Sequence, residues 1–133
     1  MRFAFERLPG ATVDIARPAL EVTLIGPAHS LTTLALVDTG SLHNRFAVWI
    51  ADLAGIDLSG AESERIGVGG RVINARTVPA TIQLDGFQWE APVSFCDPWP
   101  FDFHLLGQQG FLRWFRVVLD AADETMEVTP VVR

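Results

Sequence analysis

A single cysteine, Cys96, in 133 residues rules out an internal disulfide. The opening "MRFAFERLPG" has no continuous apolar stretch of the kind a signal peptide carries, so the chain reads as a reduced, cytoplasmic protein. No segment approaches the about eighteen uninterrupted apolar residues of a membrane-spanning helix, which predicts a soluble chain with no membrane partner. Basic residues are scarce: ten against sixteen acidic ones give a formal net charge of -6, which repels phosphate backbones and argues against nucleic acid. The three histidines, His29, His43 and His104, make no metal-ligand spacing with one another or with Cys96, so neither a metal nor a cofactor is implied. "SFCDPW" carries no nucleophile signature, and a lone cysteine is more often a small core residue. The glycine-rich "ERIGVGGRV" has no lysine and no strong helix behind it, which excludes a phosphate-binding P-loop.

About half of the residues are apolar, enough for one compact domain over residues 1–133. Short β-branched runs alternate with Gly, Pro, Asn and Asp, the texture of an all-β barrel or sandwich. "LEVTLIG" (20–26) and "LTTLALV" (31–37) predict two strands of a hairpin. "RVINARTVPATIQL" (71–84) predicts a long strand that Pro79 must bend, interrupt or place at an edge, since proline has no N–H for a ladder. Asp85-Gly86 then marks a tight turn. In "FQWEAPVSF" (87–95), Phe87, Trp89, Ala91, Val93 and Phe95 alternate with Gln88, Glu90 and Ser94, as in a half-buried strand.

Helix signals are few. "NRFAVWIADLAG" (44–55) has Phe46, Ile50 and Leu53 at helical spacing, Asn44 as a candidate cap and Gly55 as the stop. "QQGFLRWF" (108–115) predicts a second, short helix presenting Phe111, Leu112 and Phe115 to one side, and "RVVLD" with "ETMEVTPVV" predicts a closing hairpin around "AADE".

The residue that needs explaining is Asp38 in "LTTLALVDTGSLHN" (31–44), a charge placed directly after an apolar strand. An aspartate before glycine can simply cap a turn. Here the neighbours suggest more. The apolar strand offers a rigid, poorly solvated platform on which a carboxylate can be tuned. Thr39 has a hydroxyl that can lock the loop from below, Gly40 lets a ligand backbone approach, and Ser41 can donate to the carboxylate and favour its ionised form.

The stretch resembles the Asp-Thr-Gly signature of aspartic proteases, and the size and order of elements resemble the retropepsin-like branch. "ERIGVGGRV" (64–72) looks like that family's flap, a hairpin whose tip closes over substrate, and "HLLGQQGFL" (104–112) resembles its second signature of two apolar residues and a glycine leading into a short helix. The resemblance spans residues 20–119 and implies an all-β, closed, acid-protease-like barrel with a flap hairpin and one or two short helices. Retroviral members carry an acidic residue shortly after the signature and a basic one after the second glycine; Leu42, His43, Gln108 and Gln109 stand there instead.

The chemistry implied is peptide-bond hydrolysis by water activated between two facing carboxylates that share one proton. This chain has one suitable aspartate: Asp120 is followed by Ala121-Ala122 and Asp57 by Leu58, so neither has the hydroxyl and glycine. The resemblance therefore implies a homodimer acting on a peptide or protein substrate, with Asp38, Thr39 and Gly40 of each subunit catalytic. Ser41, Gly67, Val68, Gly69, Gly70, Leu105 and Leu106 would bind substrate, and the apolar residues among them favour an apolar peptide around the cut. The terminal segments could pair across the dimer or complete one subunit's sheet. Donation from Ser41 to the carboxylate predicts acid-tolerant activity. The rival reading is a retropepsin-like module that binds peptides or assembles without cutting.

Overall fold

The computed structural model describes residues 1–131. Val132, expected in the closing strand, and Arg133 lie outside the described residues. The elements in chain order are β1 (Arg2–Ala4), β2 (Glu6–Arg7), β3 (Ala16–Arg17), β4 (Ala19–Ile25), β5 (Ser30–Val37), β6 (Asn44–Ala47), helix α1 (Val48–Ala54), β7 (Ser63–Val68), β8 (Arg71–Leu84), β9 (Phe87–Asp97), β10 (His104–Leu106), a π-helical turn (Gln108–Leu112), β11 (Phe115–Asp120) and β12 (Thr125–Pro130). Strands β4-β5-β10-β6-β9-β8 neighbour one another in that order, and a β4–β8 pairing closes them into a ring, with β7 hanging outside on β8. The expected closed all-β barrel is therefore present. The β5–β10 and β6–β9 pairs are parallel and the other pairings antiparallel. Among the described residues no helix is long and apolar enough to cross a membrane.

Two buried clusters lie on opposite faces of the ring strands. Along β5, Ala35 and Val37 join the larger cluster, while Leu34 and Leu36 join the smaller. A strand buried on both faces reads as an unbroken apolar run, which is why "LALV" shows no alternation. The larger cluster is closed by Phe46, Trp89, Phe95, Phe111 and Phe115, and the smaller gathers Leu36, Val68, Cys96 and Leu105 with the flanking Trp99, Phe101 and Phe103.

Strand β8 runs unbroken through Pro79, which faces Pro92 of β9. Two prolines can oppose each other only at a non-hydrogen-bonded pair, where neither residue owes the other an N–H. On its other side β8 pairs with β7 through Arg76 and with β4 from Thr81, so Pro79 sits in the gap between two neighbours, locally an edge. The alternation expected for 87–95 holds to Val93 and then fails: Ser94 is fully buried, because β9 is flanked there by β6 and β8 and its hydroxyl pairs with Thr77 Oγ1 at 2.8 Å.

The helix expected over 44–55 is shorter. Residues 44–47 form β6, and α1 starts at Val48 behind Ala47, with no side-chain cap. Asn44 is buried for a different purpose, described below, and Leu53 is exposed rather than packed. Gly55 does end the helix, in the left-handed conformation at φ 79. The second expected helix is the π turn alone, and Phe115 belongs to β11. The chain ends pair with each other within one chain: β1 runs antiparallel to β12, and the Met1 amino group donates to Val128 O at 2.8 Å.

Candidate active site

Strand β5 delivers Asp38 to a loop, residues 38–43, that must turn back into β6. The segment after β10 braces that loop. Asp38 N donates to Leu106 O at 2.9 Å, and the backbone N–H groups of Gln108 and Gln109 donate to Ser41 O and Leu42 O, both at 2.8 Å. Gln108 Nε2 donates to Thr39 O at 2.6 Å. The buried Asn44 joins the same braces from below: its Oδ1 accepts from Gly107 N at 2.9 Å and its Nδ2 donates to Gly110 O at 3.0 Å. A Cβ at Gly107 would overlap the carbonyl oxygens of Ser41 and His43, and one at Gly110 would overlap the Asn44 carboxamide. The glycines of "LLGQQG" are thus required by close approach, Gly107 to the aspartate loop and Gly110 to Asn44 beneath it, and the two signature stretches form one hydrogen-bonded unit.

The Asp38 carboxylate is partly exposed, and its Oδ1 accepts from Gly40 N at 2.9 Å. Among the described residues its Oδ2 accepts no hydrogen bond. Ser41 does not donate to it as expected: its hydroxyl donates to His43 O at 2.7 Å and accepts from Arg45 Nε at 3.1 Å. The basis for the acid-tolerance expectation is therefore missing. Nor does Thr39 lock the loop from below: its side chain is exposed, its hydroxyl makes no hydrogen bond among the described residues, and the Gln108 carboxamide and backbone do the bracing.

Asp38 opens onto a cleft of about 390 Å³ lined by Leu8, Arg17, Leu36, Gly40, Ser41, Arg45, Gly67, Val68, Gly69, Phe101, Phe103 and Leu105. Most of the expected site residues are brought together here. Gly70 is exposed at the hairpin turn and does not line the cleft. Leu106 does not line it either. Successive strand residues point to opposite faces, so Leu105 faces the cleft and Leu106 is fully buried in the larger core. The β7–β8 hairpin turns through Gly69 and Gly70, both at positive φ (58 and 77), the two-residue turn whose twist matches the strands. A Cβ at Gly69 would lie 2.7 Å from Phe101 Cζ, so the tip rests on that ring.

Sequence reasoning missed Leu8, Arg17, Leu36, Arg45, Phe101 and Phe103. The alternation of Trp99, Phe101 and Phe103 was the available signal for the last two, whereas Arg45 was hidden inside an apparent helix. Around Arg45, burial first and the nearby guanidinium second hold His43 below its usual range, against an upward pull from Glu64. Burial pushes the Cys96 thiol up to about 11, so it is neutral near pH 7. A larger hollow of about 780 Å³ between β1, β4 and the end of β8 is lined by Arg2, Glu6, Glu21 and Asp85 among others, but none of the signature residues reaches it.

Neither protein-family models nor curated proteins gave a match to the chain. Solved structures did, and they define the class: the chain has the retropepsin-like aspartic protease fold. A retropepsin-like aspartic protease from Rickettsia conorii superposes with a TM-score of 0.62 at 13% identity, over 99% of this chain and 94% of that one. The EIAV protease, in complex with the inhibitor HBY-793, gives a TM-score of 0.55 at 19% identity, over 74% of this chain and 88% of that one.

Proposed function

We propose that the chain is a single-domain aspartic endopeptidase that works as a homodimer in a reduced, cytoplasmic setting. One observation carries this reading. Asp38 presents a carboxylate with an unengaged oxygen to a cleft, and among the described residues no second carboxylate lines that cleft. Half of a two-aspartate site is what a symmetric dimer would complete, with Thr39, exposed beside Asp38, available to the same contact.

In the dimer the two Asp38 carboxylates share one proton, because like charges about 3 Å apart resist full ionisation. The ionised member takes a proton from water as it attacks the scissile carbonyl, and the protonated member donates to the carbonyl oxygen. The Gly40 N–H fixes one carboxylate oxygen and the Gln108 and Asn44 braces hold the loop, so the carboxylate is oriented before substrate arrives. The Gly69-Gly70 hairpin acts as the flap, and Val68 and Leu105 offer apolar walls to the peptide. Substrate would displace the tip from Phe101.

Cleavage of a mixed peptide library between about pH 3 and 7 tests this, with Asp38→Asn lowering turnover by at least about a thousandfold. Activity that survives in Asp38→Asn would rule out the aspartic mechanism. Absence of cleavage by either protein would leave a peptide-binding or assembly module on the same fold. Solution mass checks the dimer: a chain that stays monomeric at micromolar concentration even with substrate cannot form the pair.

A further inference from the structure

The floor of the cleft is a row across the sheet. Leu36 of β5 pairs with Leu105 of β10, Leu105 with Arg45 of β6, and Arg45 with Ser94 of β9. Directly paired residues share a face. Arg45 therefore stands on the cleft face beside Leu105, while its neighbour Phe46 points into the larger core. A half-buried cation in such a row loses much of its hydration and needs compensation. The chain supplies little. Arg45 Nε donates to Ser41 Oγ at 3.1 Å and the guanidinium also hydrogen-bonds the Cys96 thiol, a weak acceptor, but Nη1 is buried without a partner. The one salt bridge among the described residues is Arg7 to Asp14, so no described carboxylate forms an ion pair with Arg45. Cys96 stays neutral and gives no counter-charge. A second guanidinium, Arg17 of β3, lines the same cleft, is exposed and also lacks an ion-pair partner among the described residues. In a protein of net charge -6, the described residues of the Asp38 cleft thus supply two cations against one carboxylate.

We infer that Arg45, with Arg17 nearer the rim, forms an anion-selecting subsite, so that the cleft prefers peptides carrying an Asp or Glu side chain near the scissile bond. This revises the expectation of a purely apolar substrate and rests on the reading of the cleft as peptide-binding. The planar guanidinium is tethered at Nε, which holds its plane in a fixed orientation suited to a carboxylate, and a ligand that opens the cleft floor would also reach the buried Nη1. Leu36, Leu105, Phe101 and Phe103 around it exclude water, which strengthens the pairing. The ligand's charge compensates a cation that the free protein leaves unpaired.

The test uses the full chain and fluorescein-labelled octapeptides with a reduced, uncleavable central bond flanked by Leu and Phe. One position at a time is Glu, Gln or Lys, and binding is read by anisotropy. At one position Glu should bind at least about tenfold tighter than Gln, with Lys weakest, and the ratio should shrink as salt rises from about 0.05 to 0.5 M. In Arg45→Met the Glu-to-Gln ratio should fall to about one, while Arg45→Lys should retain part of it. If Arg45→Met does not fold, as judged by its melting transition, Arg45→Gln supplies the same ratio. Equal binding of Glu and Gln peptides at every position, or a Glu preference that survives loss of the charge, overturns the inference. Cleavage of the unmodified peptides without an acidic preference overturns it while sparing the protease reading. Glu-selective binding without cleavage does the reverse. Failure of every peptide to bind removes both.

Discussion

The two faces of the barrel strands make unlike environments from the same backbone. On the inner face Phe46, Phe95, Phe111 and Phe115 are at most 1% exposed, and Trp89 meets Phe115 edge-on with centroids 4.8 Å apart. Of its polar residues, Asn44 has both ends of its carboxamide engaged, and His104, paired with Ala35, leaves its Nε2 without a partner. On the cleft face the apolar cluster is smaller and is interrupted by Ser41, Arg45 and Asp38, of which Arg45 and Asp38 are only partly engaged. Strand β6 shows the contrast in three successive residues: Asn44 and Phe46 point inward and Arg45 outward. The inner face is built for rigidity, with the His104 Nε2 as its one exception among the groups named here, and the cleft face keeps its unsatisfied groups open to a ligand on that rigid support. A site can leave donors and acceptors unpaired only where the fold's stability rests elsewhere.

The comparison breaks most visibly if the inner face is not where stability resides. Phe46→Ala should cost about 3–5 kcal/mol, since a fully buried phenyl leaves a cavity among residues that cannot collapse into it. Urea unfolding would show a lowered midpoint with an unchanged slope. A loss below about 1 kcal/mol would mean that the inner face is loosely packed and that the contrast has been misread.

His104 tests the inner face at its exception. It is 3% exposed, its ring stacks on Trp99 at 5.8 Å and lies 5.1 Å from Phe46, and Nδ1 shares a 2.7 Å hydrogen bond with the Thr33 hydroxyl. Nε2 is buried without a partner, and burial pushes the pKa from 6.5 down to about 4. Because the folded value lies below the unfolded one, the unfolded chain binds the extra proton between those two values. The stabilising contribution of neutral His104 is complete above pH 6.5 and is lost as pH falls toward 4, by at most about 3 kcal/mol. Chemical denaturation across that window should show the decline, and His104→Gln should flatten it. An equal slope in the variant would assign the acid sensitivity to other groups. The same decline bears on an acid-side activity optimum: folding, not the carboxylate pair alone, would set its lower limit.

The barrel, the Asp38 loop and the Gly69-Gly70 hairpin were legible because each rests on a local rule: apolar strand runs, a short motif, and glycine at positive φ. Pairings distant in sequence were not. Asn44 looked like a helix cap because capping and bridging two distant glycines call for the same carboxamide, and only tertiary contact distinguishes them. Ser41 looked like a donor to Asp38 because the sequence does not show that Arg45 and the His43 carbonyl compete for its hydroxyl. The Leu105–Leu106 assignment could have been improved from sequence alone, since adjacent residues on a strand cannot both face one cleft. Arg45 was missed because "NRFA" continues into a helical pattern, and a fully buried Phe46 fits helix and strand equally well.

The smallest expected effect is also the sharpest contrast, because it sits one residue from Phe46. Arg45→Met should leave stability within about 1 kcal/mol of the parent, or raise it, since removing an unpaired, half-buried charge relieves desolvation while the methionine keeps the apolar stem. The Nε–Ser41 bond is lost, worth about 1 kcal/mol, but Ser41 still donates to His43 O and is not orphaned. A loss beyond about 2 kcal/mol would mean that Arg45 holds the cleft floor together within one chain. Its unpaired nitrogen would then be a cost of folding rather than a group kept for a ligand, and the two faces would differ less than their packing indicates.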